Sequence, residues 1–91
     1  MTPSITLYTM GHCSYCKRAK ALLREKGITE WTEFDLEVEP DKRPEMVEKS
    51  GGGTTVPQIF IDGHHVGGAR DLFALDTAGG LDPLLGLAPE S

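Results

Sequence analysis

Both cysteines of the chain lie in one stretch, Cys13-Ser14-Tyr15-Cys16, set where an apolar, strand-like run gives way to a helical pattern. No other feature restricts the fold as much. Two sulfurs separated by two residues close into a disulfide only through a tight turn, and such a bond is readily reduced. The chain must therefore hold two thiols together at a strand–helix junction. In a reducing compartment such a pair reads as a redox site, because structural disulfides do not persist there.

The residues around the pair can be assigned from periodicity. Ser4 to Met10 alternates, with Ile5, Leu7 and Tyr8 as β-formers, and predicts a strand. Gly11-His12 breaks it. From Ser14 to Lys26 the apolar residues Ala19, Leu22 and Leu23 recur at helical spacing, with Cys16 on the same stripe, and Gly27 is the stop. This places Cys13 at the helix N-terminus and Cys16 within the first turn. Cys13 then faces unpaired backbone N–H groups and the positive end of the helix dipole, which favour a thiolate nucleophile. Cys16, deeper in the helix, suits the resolving role.

Further along, Trp31 to Leu36 alternates and predicts a second strand near an edge. A helix is expected from Lys42 to Ser50, with Asp41 as its N-cap and Pro44 tolerated in its first turn. Gly51-Gly52-Gly53 is a flexible break. After Thr54-Thr55-Val56-Pro57, the run Gln58-Ile59-Phe60-Ile61 predicts a buried strand, and Asp62-Gly63 a tight hairpin returning through His64 to Val66. Asp71 to Ala78 is helical, Gly79-Gly80 stops it, and Leu81 to Leu85 allows one more turn. The order β-α-β-α-β-β-α predicts an α/β fold. Its first two strands should be parallel, by the right-handed crossover rule, and its last two a hairpin, in one four-stranded mixed sheet flanked by helices.

Ninety-one residues suit one domain spanning 1–91, with 86–91 expected as a loose tail. No apolar run reaches the ~20 residues that cross a bilayer, and no signal peptide is visible, so a cytoplasmic location is the expectation. The net charge of −5 argues against a general nucleic-acid role. Charge is unevenly placed: Lys17, Arg18, Lys20, Arg24 and Lys26 follow the cysteines, whereas eight of the 14 acids fall between Glu30 and Glu48. The cysteine end is thus locally basic, which suits an anionic sulfur or substrate.

The element order, the Cys13-Ser-Tyr-Cys16 tetrad, Thr55-Val-Pro-Gln-Ile-Phe-Ile61, and Gly67-Gly68 followed by Asp71-Leu72 together resemble the thioredoxin superfamily. Within it the chain is similar to the glutaredoxins of the small bacterial dithiol type. The resemblance implies a glutathione-dependent thiol–disulfide oxidoreductase acting on glutathionylated or disulfide-bonded proteins, with Cys13 as nucleophile and Cys16 as resolving thiol. It further implies a cis Val56-Pro57 bond that turns the Val56 backbone toward Cys13. Glutathione would lie across Thr55, Val56 and Pro57, its γ-glutamyl carboxylate received by the N–H groups of the Gly68, Ala69, Arg70 and Asp71 segment, with Tyr15 flanking the sulfur.

The chain departs from the family pattern at several positions. Met10 stands where Lys is common, Gly53-Thr54 where Arg or Gln often precedes Thr-Val-Pro, and Ala69 where many relatives carry a third cysteine. Arg70 could restore a cation from the other side. Ser14 replaces the usual Pro, leaving a backbone donor near the sulfur and a looser turn. By resemblance to some Cys-Ser-Tyr-Cys members, it implies an alternative to the monomeric enzyme. That alternative is a homodimer bridged by a [2Fe–2S] cluster with Cys13 and glutathione as ligands. His12, His64 and His65 are poor zinc partners, since His12 adjoins Cys13 and neighbours in a strand face opposite sides.

Overall fold

The structure, a computed structural model, describes residues 3–87. Its strands are β1 (Ile5–Thr9), β2 (Thr32–Asp35), β3 (Gln58–Ile61) and β4 (His64–Gly67). Its helices are α1 (Ser14–Glu25), α2 (Lys42–Lys49), α3 (Ala69–Thr77) and the short α4 (Leu81–Leu84). The sheet order is β2-β1-β3-β4, with β1 parallel to β2 and antiparallel to β3, and β3 antiparallel to β4. The expected mixed sheet is therefore present, with α4 as the extra turn. Antiparallel pairing brings the end of β1, the start of β3 and the end of β4 to one end of the sheet.

Alternation along the strands sorts side chains onto two faces. Ile5 and Leu7 of β1, with Ile59 and Ile61 of β3, pack under Ala19, Leu22 and Leu23 of α1, Leu72 of α3 and Leu81 of α4. Tyr8, Leu36 and Phe60 face the other way and are covered by Met46 of α2. α2 has few apolar anchors, and polar contacts supplement them. The buried Tyr8 hydroxyl donates to Glu45 (2.6 Å), and Lys42 lies over the Phe34 ring at 4.5 Å from its centroid. Burial, then the Glu45 carboxylate, raises the Tyr8 pKa.

The ends of α1 follow local rules. Gly27, at φ +88°, lets the chain leave the helix, with Gly27 N–H donating to Arg24 O (2.9 Å) and Ile28 N–H to Leu23 O (2.9 Å). That is the Schellman pairing, closed by burial of Ile28. Lys26 ties this end to α3 and α4 through Asp76 (2.7 Å) and Asp82 (2.8 Å).

Three local expectations change. Asp41 stands at the N-cap position of α2, but its side chain makes no capping hydrogen bond; the helix start is closed instead by backbone bonds from Lys42 N–H to Glu39 O (3.0 Å) and Arg43 N–H to Pro40 O (3.2 Å). α3 begins at Ala69, two residues before the apolar pattern, because the Asp71 carboxylate accepts the Gly68 N–H (2.9 Å) and extends the helix backward. Within the expected tail, Leu87 N–H donates to Asp82 O (2.9 Å) and its side chain packs on the core. Residues 88–91 lie outside the described residues.

Candidate active site

Cys13 is the N-cap of α1, with extended backbone (φ −118°, ψ 107°). Its sulfur accepts the Cys16 backbone N–H at 3.1 Å, one of the donors a helix start leaves without an intrahelical partner. A cysteine sulfur here replaces the oxygen of an ordinary N-cap residue. The partly exposed Cys13 can meet a substrate, whereas Cys16 is only 1% exposed. Burial pushes the Cys16 thiol up to about 12, aided by its hydrogen bond to Cys13. The pair is thus divided into an accessible sulfur and a sheltered one that rests protonated.

From Cys13 the site continues sideways across the end of the sheet. The thiol contacts the Val56 carbonyl at 3.7 Å, and the Val56–Pro57 bond is cis. A groove of about 580 Å³ opens beside it. Tyr15, Thr55, Val56, Pro57, Gly68, Ala69, Arg70 and Asp71 all line this groove. Tyr15 is 47% exposed, with the Arg18 guanidinium 5.9 Å from its ring centroid. The Asp71 carboxylate is engaged with Gly68 N–H, so this residue shapes the α3 end of the groove through its backbone and its cap.

The sequence reading missed three contributors. Gln58 is buried beneath the groove, donating to Thr55 O (3.0 Å) and meeting His65 Nε2 at 2.7 Å. It fixes the Thr55–Pro57 segment, and its signal was one amide at the head of an otherwise apolar strand. Gly67 has φ +117°, and a Cβ there would run into the Asp71 carboxylate, so only glycine fits without strain. Arg43, from the acidic stretch, reaches Thr54 O (3.2 Å) and Met10 Sδ (3.9 Å). It brings a cation to the side where Met10 supplies none.

Two cysteines at a helix start, one accessible and one buried, beside an extended backbone segment, define a thiol–disulfide exchange site on a thioredoxin-like fold. The comparisons with known proteins agree. The Glutaredoxin family model matches residues 5–66. Glutaredoxin 3 of Escherichia coli is 54% identical over 82 residues, covering 90% of this chain and 96% of the relative. The solution structure of glutaredoxin from Brucella melitensis matches with a TM-score of 0.77 at 47% identity, covering 99% of this chain and 96% of that one. A buckwheat glutaredoxin–glutathione complex matches with a TM-score of 0.83 at 27% identity, covering 94% of this chain and 83% of that one. The chain belongs to the glutaredoxin family, and that membership carries thiol–disulfide oxidoreductase activity.

Proposed function

We propose that the chain is a glutathione-dependent oxidoreductase that reduces protein–glutathione mixed disulfides and protein disulfides, with Cys13 as nucleophile and Cys16 as resolving thiol. The observation that carries this reading is the union of Cys13 and the groove. The accessible sulfur lies 3.7 Å from the carbonyl of a backbone segment aligned to pair with an extended peptide. The buckwheat complex, similar over most of this chain, has glutathione as its ligand and supports the same ligand here.

In the first route the Cys13 thiolate attacks the glutathionyl sulfur. The old S–S bond breaks, the substrate leaves as a thiolate that takes up a proton, and Cys13 carries glutathione. A second glutathione thiolate attacks that glutathionyl sulfur, giving oxidised glutathione and free Cys13. In the second route Cys13 attacks a protein disulfide and forms a mixed disulfide with one of its sulfurs. Cys16 then attacks Cys13, expels the second substrate thiol, and leaves a Cys13–Cys16 disulfide that two glutathiones reduce. Val56 would hold the tripeptide backbone, and the N–H groups of Ala69, Arg70 and Asp71 at the α3 start would receive the γ-glutamyl carboxylate. This reading puts the chain in the cytoplasm, whose glutathione pool would regenerate Cys13.

The cluster-bridged homodimer draws on the same sulfur. With Cys16 buried, each chain offers one accessible thiolate, so two chains would supply two iron ligands and glutathione the other two. Among the described residues no group of three or more His, Cys, Asp or Glu side chains could hold a metal within one chain. The residues fit a cluster only as a shared ligand set.

One preparation tests both readings. Protein purified anaerobically with glutathione is assayed for size, colour and reduction of a peptide–glutathione mixed disulfide. The enzyme reading expects a colourless monomer whose turnover needs Cys13 and prefers glutathione to mercaptoethanol in the mixed disulfide. A brown dimer would favour the cluster. Equal rates with both mixed disulfides would overturn the glutathione reading.

A further inference from the structure

On the α1 side of the sheet, Glu33 of the edge strand β2 collects three donors: Thr9 Oγ1 (2.8 Å), Trp31 Nε1 (3.0 Å) and Lys20 Nζ (3.1 Å). The exchange chemistry above uses none of them. An exposed edge strand does not need such a cluster for its pairing, and its placement is specific. Lys20 lies one turn after Cys16 on α1, where side chains four apart are neighbours, ~5–6 Å between their Cβ atoms. Helical Cα–Cβ bonds tilt toward the N-terminus, so the Lys20 side chain leans back over the turn that carries Cys16. Thr9, buried at the end of β1, leads through Met10 into the junction that carries the cysteines. Glu33 therefore fixes the Lys20 ammonium group on the α1 side of the sheet, one helical turn from the sheltered sulfur.

We propose that Lys20, positioned by Glu33 and Thr9, supplies the positive charge that lets buried Cys16 act as a nucleophile in the resolving step. Cys16 must form a new S–S bond with Cys13 while the bond from Cys13 to the substrate breaks. The proton of the Cys16 thiol leaves as its sulfur attacks, and the expelled substrate thiolate ends as a thiol, directly or through water. Negative charge develops on Cys16 in a place that burial makes hostile to anions. A fixed ammonium one turn away offsets that cost without admitting water. The charged groups on this side are Lys20 paired with Glu33, Arg24 over the Trp31 ring at 5.3 Å, and, at the far end of α1, Lys26 with Asp76 and Asp82; Cys13 caps the near end, and α3 packs Ala69 and Leu72, both apolar, onto the same layer. Glu33 stays ionised: burial raises its pKa, but hydrogen bonds from Trp31, Thr9 and Lys20 outweigh burial and lower it overall.

The proposal rests on Cys16 as the resolving thiol, and the experiment separates the two claims. A mixed disulfide between Cys13 and a cysteine peptide is preformed, and its decay to the Cys13–Cys16 disulfide is timed by acid quench and mass spectrometry. Lys20→Met should slow this decay about tenfold, the effect of roughly one pKa unit of lost charge stabilisation. Lys20→Arg should restore it. In a Cys16→Ser background, Lys20→Met should leave attack by external glutathione on the same intermediate unchanged. Decay at the wild-type rate in Lys20→Met would overturn the proposal, as would equal slowing of the glutathione step. Should Lys20→Met not fold, Lys20→Gln is read in the same way. A wild-type chain that forms no Cys13–Cys16 disulfide would instead remove Cys16 from the resolving role.

Discussion

The cysteine turn and the groove beside it meet within one hydrogen-bond distance, yet they are built by different means. The turn, residues 13 to 16, is a local object: a helix N-cap whose sulfur accepts the Cys16 N–H at 3.1 Å. The groove needs three distant segments at once: Thr55–Pro57 entering β3, the Gly67-Gly68 exit from β4, and the first residues of α3. Those segments depend on the hairpin register, on the irregularity between Ile59 and Phe60, and on the Gly67 backbone. The contrast assigns the reactivity of Cys13 to local helix geometry and substrate choice to long-range strand assembly. The two should therefore be separable by mutation.

The largest expected effect lies in the turn. Cys13→Ser should abolish both routes, with a fall of at least ~10³-fold in turnover, because no other accessible thiol replaces it. Folding should be unchanged by circular dichroism. Cys16→Ser comes next and is selective: reduction of protein disulfides is lost, whereas peptide–glutathione mixed disulfides are still reduced. Parallel assays on the two substrates would show whether the buried sulfur acts only in resolution.

Groove substitutions should change binding and stability while leaving the sulfur chemistry intact. Gly67→Ala adds a Cβ at φ +117° against the Asp71 carboxylate. It should cost ~1–3 kcal/mol in thermal denaturation and raise KM for the glutathione mixed disulfide more than it lowers kcat. An unchanged KM with reduced kcat would instead couple the α3 end of the groove to the reacting sulfur.

The smallest effect is electrostatic. The Glu33 carboxyl lies below its usual range, so its contribution to stability is present above the unfolded carboxylate value of ~4.3 and is lost as pH falls through the folded value. Glu33→Gln should remove this part of the acid dependence, at a cost below ~1 kcal/mol at neutral pH, as measured by denaturant titrations from pH 3 to 7. A melting profile with the same acid dependence in both proteins would show that the carboxylate is not selectively stabilised by folding.

The same divide explains what could be read from residues alone. The strand–helix junction, the Gly27 stop and the Asp62-Gly63 hairpin are governed by near neighbours and are found where the sequence puts them. Asp62 at φ 50° and Gly63 at φ 82° are the paired positive angles such a turn requires. Glu33 and Gln58 were illegible for the opposite reason. Alternation in β2 separates Glu33 from Phe34 and Leu36 but does not say what covers its face; that face lies under the edge of α1, where Lys20, Thr9 and Trp31 surround the carboxylate. Gln58 reads as a strand residue until β4 brings His65 to it. Asp41 shows the converse: its type fits a cap, and the backbone around it does not use the side chain.

The central claim is that Cys13 alone receives the glutathionyl group. The direct measurement incubates Cys16→Ser and Cys13→Ser separately with a peptide–glutathione mixed disulfide and maps the adducts by peptide mass spectrometry. The account predicts one glutathione on Cys13 in the first protein and no adduct in the second. Glutathione on Cys16 of the Cys13→Ser protein at a comparable rate would contradict it.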